Sequence, residues 1–359
     1  MWVEQLRVRG LRCFREASFT LDPSINVLVG DNGSGKSSVL EAVFLLSHAR
    51  SFRSGATEAL LQRGSSAMSV FAELRHHDNR TCRLGLGRER SRWEAKADGQ
   101  VVTIGQLVGK CAVVCFEPGS HALIAGAADE RRRFLDWGVF HVELEFLPDW
   151  RRYQRALKQR NSLLRSAASQ DEELFAPWEA ELAQTAQRID AQRRAYLNLL
   201  RPKLSASAQG LLPELGPLEL RFRRGWPEEQ ELRQLLREHR GRDQARGHTT
   251  MGAHRADWAI AFERAPLREH LSRGQEKLTA LACMLAQAEL FADQRGEWPI
   301  VCLDDLASEL DQTHQSAVIA QLRSAQAQVL LTGTEAPQSL KAVPARVFHV
   351  EQGRLIPLL

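Results

Sequence analysis

Eight residues, Gly30-Asp31-Asn32-Gly33-Ser34-Gly35-Lys36-Ser37, constrain this chain more than any other segment. They satisfy G-x-x-x-x-G-K-[ST] without a gap. The apolar run Ile25 to Val29 precedes them, and Val39, Leu40, Val43, Phe44 and Leu46 follow at helical spacing. A strand, a glycine-rich turn and a helix in that order make a phosphate cradle. The glycines let the backbone curl so that its N–H groups converge on phosphate oxygens. The helix beginning near Lys36 adds the positive end of its dipole. In such a cradle Lys36 reaches the β- and γ-phosphates, and the Ser37 hydroxyl ligates Mg²⁺.

A partner lies far downstream. Pro299-Ile300-Val301-Cys302-Leu303 is an apolar strand ending in Asp304-Asp305. Carboxylates at the carboxyl edge of a sheet stand beside a phosphate site there. Asp304 is expected to hold Mg²⁺, directly or through water. Asp305 is expected to orient or deprotonate an attacking water. Two further segments go with these. Leu271-Ser272-Arg273-Gly274-Gln275-Glu276-Lys277 opens an apolar-periodic helix from about 274 to 291, where Ser272 caps the helix and Gly274 admits a close backbone approach. Ser308-Glu309-Leu310-Asp311 follows the acidic strand.

Composition excludes other classes. With 359 residues, 43% hydrophobic and 26% charged, the chain is globular rather than disordered. A net charge of +4 is too mild to establish a nucleic-acid partner. No apolar run is long enough for a membrane span, and the start lacks the apolar core of a signal peptide. A cytoplasmic location with no membrane partner is therefore expected. Cysteines 13, 82, 111, 115, 283 and 302 include no C-x-x-C pair, and read as small buried hydrophobes in a reducing compartment.

The fold class is α/β, with a head built from both chain ends and a helical domain inserted between them. Residues 1–125 are strand-rich and form the N-terminal lobe. Residues 126–246 form the inserted domain, and strand signals return over 247–359, the C-terminal lobe. The insert holds much of the positive charge, since residues 131–255 carry 23 Lys+Arg against 17 Asp+Glu. Trp178, Leu182, Ile189, Tyr196 and Leu200 mark one helix face there. Pro148, Pro177, Pro202, Pro213, Pro217 and Pro227 are expected to break the insert into short pieces.

The order of phosphate cradle, Ser272 segment, acidic strand and Ser308–Asp311 resembles ABC-type ATPases, and Glu276-Lys277 is similar to heads of the SMC/Rad50 kind. The Ser272-Arg273-Gly274-Gln275 run is similar to the L-S-G-G-Q signature, with Arg273 at a usual Gly, and Ser308 to Asp311 to the D-loop. The whole chain resembles the RecF family of bacterial recombination and replication-repair ATPases. That likeness is carried by Leu6 to Arg15, His48 to Arg53, Phe116-Glu117-Pro118, Gly126, Arg131 to Asp136, Gly252 to Asp257, and Leu303 to Asp311 with His314 beyond. Gly119 and Ala128 depart from the family's usual acid and Pro. From the wider ABC pattern, Asp305 replaces a Glu, and Thr332-Gly333-Thr334 shows no switch His.

The resemblance implies a weak Mg²⁺-dependent ATPase acting as a switch. Ser272, Gly274 and Gln275 of one copy would touch the γ-phosphate held by another, so ATP drives a homodimer. It further implies binding to gapped or junction DNA, the mediators RecO and RecR as partners, help in recombinase loading, and a part in the SOS response. A transporter ATPase subunit and a structural DNA clamp without turnover are the alternatives. DNA-stimulated hydrolysis separates the first, and the effect of Asp305→Asn separates the second. Candidate phosphate contacts on DNA are Arg50 and Arg53, the cluster Arg88, Arg90 and Arg92, and Arg151, Arg152, Arg155 and Arg160. His254 is read as a structural histidine, and Arg131 to Arg133 as head-packing or nucleotide-sensing groups.

Overall fold

Alternation of apolar and charged residues at the N-terminus produces a meander of long strands. The computed structural model describes residues 1–53, 57–166, 172–340, 344–351 and 353–358. β1 (Trp2–Leu11) pairs antiparallel with β2 (Phe14–Thr20), and β3 (Ile25–Val29) leads through the glycine-rich turn into α1 (Lys36–His48). β4 (Ala67–Arg75), β5 (Thr81–Glu89), β6 (Arg92–Ala97) and β7 (Gln100–Val102) complete a six-stranded antiparallel sheet in the order β2-β1-β4-β5-β6-β7. α2 (Ile104–Val108) and β8 (Val113–Phe116) follow.

The interior of the sequence is mostly helical. It contains α3 (Ala122–Ala125), α4 (Ala128–Val142), α5 (Phe146–Leu164), α6 (Glu172–Leu211), β9 (Leu218–Arg223), α7 (Leu232–Glu238), α8 (Arg240–Arg246), β10 (Asp257–Phe262) and α9 (Arg273–Arg295). The last third returns to α/β with β11 (Ile300–Leu303), α10 (Leu306–Glu309), α11 (Gln312–Ser324), β12 (Val329–Gly333), β13 (Arg346–Glu351) and β14 (Arg354–Pro357). These strands join β3 and β8 in a second sheet, ordered β14-β13-β3-β12-β11-β8. All its pairs are parallel except β13 with β14. β3, β8, β11 and β12 are buried throughout, as continuous apolar runs in a covered parallel sheet should be.

The chain groups into two compact units, Met1–Ser120 with Leu281–Leu359, and His121–Ala280. In the first, α1 packs against β8 and β12 of the parallel sheet and against β1, β4 and β5 of the antiparallel one. A helix covered on both sides must be apolar nearly all round, and α1 buries residues on every face, Val39, Leu40, Val43, Phe44 and Leu46 among them. The segment 247–280, expected in the C-terminal lobe, groups instead with the inner unit. β10 is tied there by an antiparallel ladder to β9, from Asp257↔Arg223 to Phe262↔Leu218.

The inner unit corrects two expectations. Its prolines do not cut the helical stretch into short pieces, because Pro177 and Pro202 both lie inside the 40-residue α6. Each costs about 3 kcal/mol in a helix interior. Both rings are exposed, on the side of the helix away from its buried stripe. On its other side α6 buries Phe175, Leu182, Ile189, Tyr196, Leu197, Leu200 and Leu204. At roughly 2 kcal/mol for each such side chain, burial outweighs the two lost bonds. Pro148 sits in the first turn of α5, where no intrahelical donor is needed.

Arg160 is no DNA contact. It is fully buried and donates to Glu179 (3.2 Å), Asp243 (2.7 Å), the Thr249 hydroxyl (2.8 Å) and the Leu236 carbonyl (2.7 Å). Arg152 is exposed but pairs with Glu181.

His254 is structural. Its Nδ1 accepts from the Tyr153 hydroxyl (2.6 Å), and its Nε2–H donates to the Thr249 carbonyl (3.0 Å). Burial lowers its pKa to about 4, helped by the nearby Arg255 and Arg132 and opposed by the Thr249 carbonyl. The folded protein thus keeps His254 neutral where the unfolded chain protonates it. Stability should be full above about pH 6.5, fall as pH drops, and level off below about pH 4, a loss of up to about 3 kcal/mol. Urea titrations from pH 7.5 to 4 should show a steeper fall in the native chain than in His254→Gln, where only the carboxyls held low in the fold, such as Glu297 and Asp257, contribute.

Candidate functional site

The phosphate cradle is built where β3 ends. Gly30 has φ 145°, and a Cβ there would lie 2.4 Å from the Val350 carbonyl oxygen of β13. Gly35 has φ 116°, and its Cβ would lie 2.6 Å from Cys13 Sγ. No other residue type fits either place, since both the backbone conformation and the space require a hydrogen for a side chain. Ser38 N–H donates to the Gly35 carbonyl (2.9 Å) as α1 begins. The Ser34 hydroxyl is buried in this loop with no hydrogen-bond partner, which is what a cradle awaiting an anionic oxygen presents.

Lys36 is nearly buried, and its ammonium donates to the carbonyls of Gly30 (2.6 Å) and Asp31 (2.8 Å). Burial lowers its pKa, and Asp305, Asp304 and Asp31 oppose that shift. The partners are neutral carbonyls, so a phosphate oxygen gains the lysine without separating an ion pair.

A cleft of about 280 Å³ opens over the cradle. Asn32, Gly33, Gly35, Lys36, Ser37 and Ser38 line it from the loop, and Asp305, Thr332, Thr334, Arg12, Cys13 and Arg53 from elsewhere. The parallel register brings the far segments in. Leu331 of β12 pairs with both Leu303 of β11 and Val27 of β3, so all three strands end at one edge. Asp304 and Asp305 leave β11 at that edge. Asp304 is buried and its Oδ1 accepts from the Thr332 hydroxyl at 2.7 Å. The same hydroxyl oxygen accepts from Asp305 N–H at 2.8 Å. Asp305 has φ 53° and ψ 43°, a left-handed conformation costing roughly 1 kcal/mol for a residue with a side chain.

The donor set suits Mg²⁺. That ion takes one or two carboxylates with substrate phosphates and waters rather than a full protein cage. Ser37 and Asp304 supply one hydroxyl and one carboxylate, and no cluster of three or more His, Cys, Asp or Glu residues able to hold a metal occurs among the described residues.

Two arginines at the cleft were not assigned to it from the sequence. Arg12 donates twice to the fully buried Glu41 of α1 (2.8 and 2.7 Å) and once to the Ala59 carbonyl (2.6 Å). Glu41 also accepts from the Ser51 hydroxyl, whose oxygen accepts from Arg53 N–H at 2.8 Å. One buried carboxylate thereby organises both segments that carry arginine to the cleft. Arg53, a candidate DNA contact by sequence, lines this cleft. Arg88 is buried against Glu58 and over the Trp93 ring, which removes it from the DNA candidates. No local signal marks Arg12 or Glu41, because their partners lie 29 residues apart in sequence.

The remaining site residues fall as follows. Ser308, exposed, donates its hydroxyl to the Asp305 carbonyl (3.0 Å). Asp311 caps α11 by accepting from His314 N–H (3.0 Å). In the inner unit, Ser272 and Gly274 are exposed at the start of α9. Ser272 and Gln275 cap each other: Gln275 N–H donates to the Ser272 hydroxyl (3.3 Å), and Ser272 N–H to Gln275 Oε1 (3.0 Å). Gln275 also donates to Glu214 (3.2 Å). Arg131 forks onto Asp257 (2.7 and 3.1 Å), a structural pairing within the same unit. All six cysteines are free, with only Cys13 exposed. No described helix is long and apolar enough to cross a membrane.

The profile of the RecF/RecN/SMC N terminal domain matches residues 2–355. The chain is 46% identical to the DNA replication and repair protein RecF of Xanthomonas euvesicatoria pv. vesicatoria, over 99% of this chain and 98% of the relative. It is 39% identical to the protein of the same name from Pseudomonas putida, over 99% and 98% of the two. Among solved structures it is similar to the recombination mediator protein RecF-ATPrS of the RecFOR pathway, with TM-score 0.88 and 25% identity over 100% of this chain and 98% of that one. An SmcHead bound to the C-winged helix domain of ScpA, at TM-score 0.59 and 14% identity over 100% and 98%, shares the fold alone. Profile, full-length relatives and fold agree, and the chain belongs to the RecF family within the RecF/RecN/SMC group.

Proposed function

We propose that this protein is an ATP-dependent DNA-binding protein of recombinational repair and replication restart. ATP joins two copies on gapped or junction DNA, and slow hydrolysis releases them. The observation that carries this is the single cleft lined by Gly33, Gly35, Lys36 and Ser37 on one side and by Asp305 and Thr332 on the other. Support also comes from the relatives, DNA replication and repair proteins by name, and from similar RecF structures holding ATP or ATPrS.

In this function the loop N–H groups and α1 bind the triphosphate, and Lys36 moves from loop carbonyls to the β- and γ-phosphates. Ser37 and Asp304 hold Mg²⁺, which neutralises charge on the phosphates. Asp305 orients the attacking water and receives its proton. As an Asp in place of the wider class's Glu it reaches one methylene less far, in keeping with slow turnover. The exposed Ser272 and Gly274 and the half-buried Gln275 of a second copy close over the γ-phosphate, so the dimer lasts only while that phosphate does. Ser308, whose hydroxyl donates to the Asp305 carbonyl, and Asp311, which caps α11, are the D-loop residues that such a copy would meet. RecO and RecR are the proposed partners in loading recombinase and in the SOS response, and the cytoplasm the proposed location.

Sedimentation with and without ATP, in the presence of gapped DNA, tests the whole scheme; a monomer under every condition would exclude it. Lys36→Arg replaces a point charge with a bulky planar fork, and ATP turnover should fall about tenfold or more. Asp305→Asn should lower hydrolysis by about a hundredfold while the ATP-bound dimer persists in sedimentation. Ser272→Arg should bind ATP as the native monomer does and yet fail to dimerise.

A further inference from the structure

Thr332 belongs to no motif by which the site was found, yet it holds both acids. Building on the ATPase function proposed above, we propose that Thr332 is the positioning residue that couples the two carboxylates of the nucleotide site. Its hydroxyl has one proton and spends it on Asp304 Oδ1 (2.7 Å), while its oxygen accepts from the N–H of Asp305 (2.8 Å). One atom therefore fixes the direction of the Asp304 carboxylate and the backbone from which the Asp305 side chain leaves.

The position follows from register. Leu331 of β12 is level with Leu303 of β11, so Thr332 is level with Asp304, the first residue beyond the ladder. On its other side Thr332 pairs with Leu28 of β3, two residues before Gly30. Thr332 thus stands between the acidic edge and the cradle, is itself 1% exposed, and still lines the cleft. Asp305 adopts a left-handed backbone. Such strain persists only where neighbours over-determine it: Thr332 holds the Asp305 N–H, and the Ser308 N–H and hydroxyl hold its carbonyl (both 3.0 Å).

β-Branching adds to the effect. Thr332 sits in a buried strand where β-branching limits its χ1 rotamers, which disfavours turning the hydroxyl to another acceptor. With Asp304 aimed, one oxygen is occupied by Thr332 and the other is left for the cation. With its backbone N–H held, Asp305 stays in the lining of the cleft. The strand end that lacks a switch His thereby carries a hydroxyl that answers to both acids at once.

Thr332→Val keeps shape and branching and removes only the hydroxyl, whereas Thr332→Ser keeps the hydroxyl. The kcat for ATP hydrolysis should fall about ten- to a hundredfold in Thr332→Val and return to near the native value in Thr332→Ser. The KM for ATP in Mg²⁺ should rise several-fold in Thr332→Val, in step with the weaker Mg²⁺ gain below, and stay near native in Thr332→Ser. A second readout needs no turnover: equilibrium binding of a non-hydrolysable ATP analogue in EDTA and in Mg²⁺. In EDTA the Val variant should match the native chain, and the affinity gained on adding Mg²⁺ should shrink several-fold. Native kcat together with a native Mg²⁺ gain in Thr332→Val would overturn the proposal, as would a Ser variant as slow as the Val one. If the native chain bound no analogue, the nucleotide function would fall first and this role with it; intact binding with unaffected variants would remove Thr332 alone.

Discussion

Everything at the nucleotide site depends on one packing constraint, the enclosure of α1 between two sheets. Because β8 and β12 cover one side and β1, β4 and β5 the other, the helix cannot shift along its axis without opening two apolar contacts. Its N-terminus is therefore a fixed point, and Gly35, Lys36 and Ser37 are held there. A dipole end and a ring of N–H groups favour an anion only if they do not move to meet it. The same enclosure explains why α1 carries a buried carboxylate. Glu41 has no solvent face and is compensated by the Arg12 guanidinium and the Ser51 hydroxyl. Leaving either partner out would strand a charge in a low-dielectric interior.

The parallel sheet supplies the second fixed element. Three strands, β3, β11 and β12, end at one edge, β11 two residues before the other two, and each delivers something different: the cradle, the two acids and the hydroxyl of Thr332. In parallel sheets the carboxyl edge is where loops from non-adjacent parts of the chain meet. Segments almost 300 residues apart in sequence thereby become neighbours within a hydrogen bond's reach of shared partners. The inner unit follows a different economy. There the buried polar groups, Arg160 with Glu179 and Asp243, and Tyr153 with His254, pair with one another across helices and loops.

Much of this was legible from the residues. The strand–turn–helix around Gly30 to Ser37, the acidic strand 300–305, the cap at Ser272 and most strand positions follow from local pattern and turn chemistry, which act over a few residues. Three things were not. The prolines of α6 mark breaks by propensity, but burial along the opposite face of the helix overrides them, and that burial depends on segments distant in sequence. Arg160 and Arg88 read as surface charge, because a buried arginine differs from an exposed one only in acids brought from distant segments. Arg12, Glu41 and Thr332 carry no motif, since each acts through a partner fixed by the fold.

The amino-acid sequence alone determined the phosphate cradle, the order of the nucleotide-handling segments, the α/β class with its helical insertion, and the RecF kinship. These depend on residue types whose conformational limits, such as glycine at Gly30 and Gly35, are local. Only the tertiary structure decided which side chains meet at the cleft, that 247–280 joins the inner unit, and that a single hydroxyl ties Asp304 to Asp305. Those facts rest on strand register and on the burial of charge. Both are set by contacts between segments far apart in the chain, and they exist only once the sheets have closed over α1.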